Sequence, residues 1–141
     1  MPLEVGTTLP LRRIDFVNPD TMRVWAPILA DPNPIHLDRD AVRAKGLGDR
    51  RVNQGVISAA YVMDMLQASF AEGFIVSFSS RFIDNVYEGE TVEASAKVTA
   101  IEQIGIMVNI TCDFVLTSIE RGSVLIGNAV VSLPSSAFST N

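Results

Sequence analysis

The sequence predicts an α+β fold in which a curved antiparallel sheet wraps around one apolar helix. The first observation is the segment GVISAAYVMDMLQASF at residues 55–70, in which Asp64 is the only charged residue. A surface helix shows a polar face, so we expect this helix to be enclosed by the rest of the chain. The second observation is a set of four strand-like segments in the second half of the chain, near residues 75–86, 91–103, 105–118 and 122–133.

The N-terminal region is predicted to supply one strand and one helix. Residues 9–16 have the composition of a strand. Asn18 followed by Pro19 is typical of an N-cap and a first helical position, and predicts a helix over residues 19–30. Trp25 lies in this helix, and we expect it to contribute to packing rather than to binding.

A second, short helix is predicted directly after Asp38. Asp38 is an expected N-cap, the helix is expected to end near Lys45, and Gly46 is a natural C-terminal stop. Asp38 is therefore interpreted as structural. The apolar stripe of the longer helix that follows is interpreted mainly as core; it consists of Val56, Ile57, Tyr61, Met65 and Leu66.

Alternating side chains support the predicted sheet. One dry face is expected from the residues Val92, Ala94, Ala96, Val98 and Ala100, and a second apolar run is formed by Ile106, Val108, Ile110, Cys112, Phe114 and Leu116. Cys112 is thus expected to be a buried, inert thiol. Short breaks at residues 87–90, at Gly105 and at Arg121 with Gly122 are of hairpin size, so the sheet is expected to be largely antiparallel.

Composition limits the classes of function. The 141 residues are expected to form one domain, with a short polar tail, PSSAFSTN, from about residue 134. A net charge of −5 argues against nucleic acid as a partner. One cysteine and one histidine argue against a disulfide or a metal site, so no cofactor is expected. Without a long apolar run or a signal-type N-terminus, the protein is expected to be cytoplasmic, with no membrane partner.

The segment DPNPIHLD at residues 31–38 contains the chain's only histidine, His36. Its two prolines disfavour a regular helix and remove two backbone donors, which predicts a stiff, bent loop. This loop also holds Asp31 and Asn33. Each of these residues has an ordinary structural interpretation, since Asp31 could form a turn and Asn33 could bond its own backbone. Their combination with a histidine favours a functional site.

The chain resembles the MaoC-like dehydratases, or hydratase 2 family, whose signature loop is Asp-x-Asn-Pro-(Leu/Ile)-His-x-Asp. The matching positions are Asp31, Asn33, Pro34, Ile35, His36 and Asp38. The helix before the loop, the short helix after it and the apolar helix at Gly55 follow the order of this family. Phe82 followed by YEGETV is similar to the segment that starts the next strand in members of this family. The resemblance covers about residues 6 to 133 and implies a single hotdog fold.

The resemblance also implies the reversible hydration of a trans-2-enoyl thioester to the (R)-3-hydroxyacyl thioester. Asp31 and His36 are implied as the acid–base pair, because hydration needs one group that accepts a proton from water and another that delivers a proton to the α-carbon. The backbone N–H of Gly55, at a helix N-terminus, is implied as donor to the thioester oxygen. Asn33 and Gln54 are implied as further substrate-binding residues.

Two alternatives remain open at this point. Most members of the family carry His-Gly at the start of the central helix and a serine further along, where this chain has Gln54 and Ala60. This departure leaves open a non-catalytic hotdog subunit of a heteromeric dehydratase. A hotdog thioesterase is the third interpretation, and the signature loop argues against it.

The expected partners follow from charge and topology. Residues 39–51 hold five basic and two acidic residues, a local charge of +3. They could form a cationic rim for the phosphates of coenzyme A or for an acyl carrier protein, or simply a solvated face. The unpaired edge of a five-stranded sheet, with the pairing of sheets that the family implies, predicts a homodimer or a higher homo-oligomer with sites near the subunit boundary.

Overall fold

The computed structural model describes residues 3–138. The strands are β1 (Arg12–Ile14), β2 (Phe74–Phe82), β3 (Val92–Ile104), β4 (Met107–Ser118) and β5 (Gly122–Pro134). The α-helices are α1 (Pro19–Ile28), α2 (Arg39–Ala44) and α3 (Gly55–Ser69), and 3₁₀ turns lie at Pro34–His36 and Ser135–Ala137. The predicted elements are present, although the first strand is shorter than the segment 9–16 and β2 ends before residue 86.

The five strands form one antiparallel sheet in the order β1-β3-β4-β5-β2. Gly105 and Gly122, with φ of 59° and 96°, turn the chain between neighbouring strands, as predicted. The prediction of a hairpin at residues 87–90 was wrong. This break joins β2 to β3, and β2 pairs instead with β5 at the far edge of the sheet. Composition identifies a strand, but it does not identify the neighbour of that strand.

The sheet packs against α3, and their apolar side chains form the core. Val62, Met65 and Leu66 of α3 are almost fully buried in one cluster with Ala94 and Ala96 of β3. The small alanine side chains allow a close approach of the helix, as expected. These contacts confirm the predicted antiparallel sheet around an apolar helix.

The enclosure of α3 is incomplete at its first turn and its outer side. Val56 is 55% exposed and Met63 37% exposed, so the assignment of Val56 to the core was wrong. Ile57, Met65 and Leu66 of the same predicted stripe are buried. Val56 lies one residue into the helix, beside the signature loop rather than beneath the sheet.

A β-bulge changes the alternation of β3. The register with β4 shifts between Val98 and Ala100, so Ala100 is exposed and Ile101 packs against the core instead. Ile106 is likewise 83% exposed, because it lies in the turn before β4. Both residues had been expected on the buried face. Cys112 is buried as predicted, and desolvation together with the nearby charge of Asp113 raises the pKa of its thiol to about 11.

The N-terminal helix and the C-terminal tail differ in part from the predictions. Met22 is fully buried in α1, whereas Trp25 is 42% exposed, so Trp25 contributes less to packing than expected. Pro134 still belongs to β5, and the last residues of the predicted polar tail, 139–141, lie outside the described residues. None of the helices between residues 3 and 138 combines the length and the apolar character that a membrane crossing requires.

Candidate active site

The C-terminus of α1 fixes the backbone of Asp31. The N–H of Asp31 donates to the carbonyl of Ala26 at 3.0 Å, and the N–H of Ala30 donates to the carbonyl of Pro27 at 3.2 Å. Ala30 has a φ of 50°, in the left-handed region. This pair of bonds around a left-handed residue is the Schellman ending of a helix. The helix therefore ends before the predicted residue 30, and Asp31 leaves it in a defined direction.

Asn33 holds the loop that follows. Its side-chain oxygen accepts a hydrogen bond from the N–H of Ile35 at 3.3 Å, and its own N–H donates to the carboxylate of Asp31 at 3.2 Å. Asn33 thus caps the 3₁₀ turn that carries His36. The side chain also lines a cavity beside His36, so both the structural and the binding interpretation have support.

His36 is buried and held at both ring nitrogens. Its Nδ1 lies 2.6 Å from the carbonyl oxygen of Val52, and its Nε2 lies 3.2 Å from the Oδ2 of Asp31. A carbonyl oxygen can only accept, so Nδ1 carries a hydrogen. The peptide of Val52 also donates its N–H to the carbonyl of Ile35 at 2.9 Å, which fixes this acceptor against the loop.

The contact between His36 and Asp31 has a chemical consequence. With hydrogen on Nδ1, the Nε2 of a neutral imidazole is an acceptor, and an ionised carboxylate is also an acceptor. Two acceptors at 3.2 Å attract each other only when one proton lies between them. A proton bound to either group would therefore lie between Nε2 and the carboxylate.

Gly55 begins α3 next to this pair. The first N–H groups of a helix lack acceptors within the helix, and glycine leaves them accessible. A Cβ on Gly55 would lie 2.9 Å from the Cζ of Phe82, so the aromatic ring rests directly on the glycine. A side chain at this position would push the ring of Phe82, which is 54% exposed, aside.

Gln54 points away from solvent and bonds to α1. It is 1% exposed, and its Nε2 donates to the carbonyl of Met22 at 2.8 Å. Its side-chain oxygen has no hydrogen-bond partner within residues 3–138. The amide thus ties the start of α3 to α1, while the residue also borders the groove described next.

Two spaces meet at Asp31 and His36. The inner cavity, of about 180 Å³, is lined by His36, Asn33, Asn53, Ser58 and residues 82, 84–86 and 124–125. The outer groove, of about 470 Å³, is lined by Asp31, Gln54, Val56 and residues 29–30. Gly55 and Phe82 line both. All five predicted site residues line these spaces: Asn33 and His36 line the inner cavity, Asp31 and Gln54 line the outer groove, and Gly55 lines both.

The basic segment at residues 39–51 is largely paired within the chain. Arg39 and Arg51 donate to the two oxygens of Glu88 at 2.6 and 2.5 Å, and Arg43 donates to Asp40 at 2.6 Å. A cluster of three or more His, Cys, Asp or Glu side chains able to hold a metal ion does not occur in the described part of the chain. The internal ion pairs favour a structural interpretation of this segment over a rim for phosphates.

Glu88 was missed by the sequence analysis, although it supports the histidine. Its carboxylate is buried, and its N–H donates to the carbonyl of Arg51 at 2.8 Å. The next pair, Val52 and Tyr87, forms an isolated β-bridge. Glu88 thus holds the strand that presents the Val52 carbonyl to His36. No sequence signal distinguished this glutamate from the neighbouring Glu90.

Ion pairing at Glu88 implies a pH-dependent stability. Burial raises the pKa of Glu88, but hydrogen bonds from Arg39 and Arg51 outweigh it and lower the pKa below 4.5. A carboxylate with a lowered folded-state pKa stabilises the fold above its unfolded pKa of about 4.3. That contribution is lost as the pH falls from there through the lowered folded-state value.

Glu88→Gln is therefore expected to reduce the free energy of unfolding at pH 7 by about 1.5–3 kcal/mol, because charged hydrogen bonds are lost. The difference from wild type should shrink when unfolding is measured in urea at about pH 3. The matched control is Glu120→Gln, because the Glu120 side chain is 58% exposed and its contact with Arg50, at 3.6 Å, is longer than the contacts of Glu88. Equal losses in the two variants at pH 7 would contradict the role given to Glu88.

Comparison with known proteins identifies a family that the chain matches. Residues 3–118 match the family model described as MaoC like domain. A search of curated proteins found no significant match.

Solved structures share the fold at low sequence identity. An (R)-hydratase from A. caviae involved in PHA biosynthesis is 24% identical with a TM-score of 0.82, covering 94% of this chain and 98% of that chain. The ChsH1–ChsH2 complex from Mycobacterium tuberculosis is 22% identical with a TM-score of 0.79, covering 92% of this chain and 98% of that chain. A MaoC-like dehydratase from Rhodospirillum rubrum is 21% identical with a TM-score of 0.79, covering 94% of this chain and 93% of that chain. These similarities confirm the predicted hotdog fold.

Proposed function

The chain belongs to the MaoC-like dehydratase family, and we propose that it catalyses the reversible hydration of a trans-2-enoyl thioester to the (R)-3-hydroxyacyl thioester. The observation that carries this proposal is the contact of 3.2 Å between Asp31 and His36 at the start of α3. Hydration requires two proton-transfer groups within reach of one water, and this pair meets that requirement.

The proton balance of the reaction matches the pair. Water adds its oxygen to the β-carbon and gives up one proton, and the α-carbon gains one proton. In the proposed step, one member of the pair is protonated and delivers its proton to the α-carbon, while the other member accepts the proton of water. The pair then again holds one proton, and dehydration exchanges the two roles.

Gly55 is proposed to stabilise the charge that develops on the thioester oxygen. The α3 N-terminus offers unpaired N–H groups and a partial positive charge beside the acid–base pair. A prepositioned donor of this kind is typically worth about 10²–10³ in kcat. The ring of Phe82 lies beside the glycine and lines both spaces with it.

The proposal is tested by the loss of enoyl absorbance when the purified protein meets trans-2-enoyl-CoA thioesters of several lengths. Free thiol is followed in the same samples. Loss of absorbance without thiol release supports hydration. Release of thiol supports the thioesterase alternative, and no change with any CoA or carrier-protein thioester contradicts the proposal.

A second candidate is a non-catalytic subunit of a heteromeric dehydratase. The fold similarity to the ChsH1–ChsH2 complex favours it, as do the exposed apolar residues Val24 and Ile28 on α1. The presence of both Asp31 and His36 favours the catalytic proposal. Activity of the isolated chain would decide between them.

We propose further that the chain forms a homodimer through β2. This nine-residue strand ends the sheet, so its outer backbone groups have no partner within residues 3–138. Phe74 and Val76 on it are 56% and 47% exposed.

Light scattering is expected to give about twice the 15.3 kDa of one chain. Val76→Lys should lower the dimer fraction, whereas Val5→Lys, at a position 60% exposed outside the sheet, should not.

A further inference from the structure

The inner cavity has an incompletely bonded polar pair in its lining, Asn53 and Ser58. Both are buried, at 4% and 3% exposure, although neither takes part in the proposed proton transfer. The Nδ2 of Asn53 donates to the hydroxyl oxygen of Ser58 at 3.0 Å and lies 3.5 Å from the hydroxyl oxygen of Tyr61. The side-chain oxygen of Asn53 has no partner among the described residues.

The bonding that remains free is of a specific kind. The Ser58 oxygen accepts from Asn53, so its hydroxyl hydrogen can still be donated, and the Asn53 oxygen can still accept. If the amide is turned by 180°, Ser58 donates to the Asn53 oxygen. The amide nitrogen can then still donate, and the serine oxygen can still accept. In both orientations the pair offers one donor and one acceptor. Leaving a buried polar group unbonded is costly, so a ligand group should complete this pair.

The shape of the site indicates which part of a substrate reaches the pair. A thioester carbon near Gly55 has the inner cavity on one side and the outer groove on the other. The carrier is too large for a cavity of about 180 Å³, so the carrier must leave through the groove. The acyl chain then enters the inner cavity. Pockets for drug-sized ligands usually hold about 300–1,000 Å³, so this acyl chain must be short.

We propose that the preferred substrate is a short-chain enoyl thioester that carries a hydroxyl group on its distal part, bound by Asn53 and Ser58. This inference rests on the proposed hydratase function. A hydroxyl both donates and accepts, so it fits the pair in either amide orientation. A carboxylate has no hydrogen to donate to the Asn53 oxygen, so it would leave that buried acceptor unbonded.

Matched pairs of thioesters test the proposal, because a terminal methyl group and a hydroxyl group differ little in size. The pairs are pent-2-enoyl-CoA with 4-hydroxybut-2-enoyl-CoA, hex-2-enoyl-CoA with 5-hydroxypent-2-enoyl-CoA, and hept-2-enoyl-CoA with 6-hydroxyhex-2-enoyl-CoA. In at least one pair, kcat/KM for the hydroxylated member should be about tenfold higher or more, because the alkyl member leaves the buried pair unbonded.

Ser58→Ala and Asn53→Leu are expected to bring that ratio close to one. Ser69→Ala, a matched change at the end of the same helix and outside the cavity lining, should leave it unchanged. Hydration of the alkyl members as fast as the hydroxylated ones in every pair would overturn this inference and leave the hydratase proposal standing. A ratio unaffected by Ser58→Ala would also overturn it. Absence of hydration with every member would overturn both.

Discussion

Asp31→Asn is expected to lower kcat for enoyl-thioester hydration by about 10²–10⁴-fold. The substitution removes the carboxylate that lies 3.2 Å from the Nε2 of His36 but keeps the shape of the side chain. The amide oxygen can still accept the N–H of Asn33, which Asp31 accepts at 3.2 Å, so the loop should keep its conformation. The measurement is steady-state hydration with the preferred thioester, with thermal unfolding followed in parallel.

Asp38→Asn is the matched control for this experiment. Asp38 lies in the same loop and caps α2 by accepting the N–H of Asp40 at 2.8 Å, a role that asparagine fills equally well. Its activity should stay close to wild type. If Asp31→Asn were as active as Asp38→Asn, Asp31 would be a loop residue rather than half of the acid–base pair.

His36→Ala is expected to lower kcat by at least about 10²-fold and also to destabilise the protein. The carbonyl of Val52 accepts from Nδ1 at 2.6 Å, and it would lose that donor inside the protein. An unsatisfied buried group costs about 1–3 kcal/mol, so loss of activity in this variant alone could reflect loss of folded protein. Unfolding in urea must therefore accompany the kinetics.

His36→Asn separates the two effects. An asparagine amide nitrogen occupies nearly the place of Nδ1 and can donate to Val52, but it offers no group in place of Nε2. Stability should return toward wild type while hydration stays as low as in His36→Ala. Recovery of both stability and activity would show that the histidine serves only as a structural donor.

The sequence predicted the elements well where local chemistry decides them. Asn18, Asp38 and Gly46 mark helix ends as expected, because caps and left-handed glycines act within a few residues. The signature loop identified Asp31 and His36 as neighbours, and the structure places them in contact.

Contacts between residues far apart in the sequence could not be predicted. The pairing of β2 with β5 and the bulge that exposes Ala100 depend on how the whole sheet closes around α3. Gln54 was expected to touch substrate, yet its amide binds the carbonyl of Met22, a partner 32 residues away. Polar residues such as Asn53 and Glu88 acquire their roles from burial, which no local pattern in the sequence records.

Asp31 and His36, the proposed acid–base pair, are anchored to two different parts of the molecule. Asp31 is fixed by the Schellman ending of α1, whereas His36 is fixed by the carbonyl of Val52 and, through that strand, by Glu88. The hydrogen bond from Gln54 to the carbonyl of Met22 also holds α1 against the start of α3, so the distance between Asp31 and His36 depends on the packing of these two helices. The outward residues Val24, Trp25 and Ile28 of this helix are 42–63% exposed. The orientation of α1 thus helps to set the position of Asp31 relative to His36.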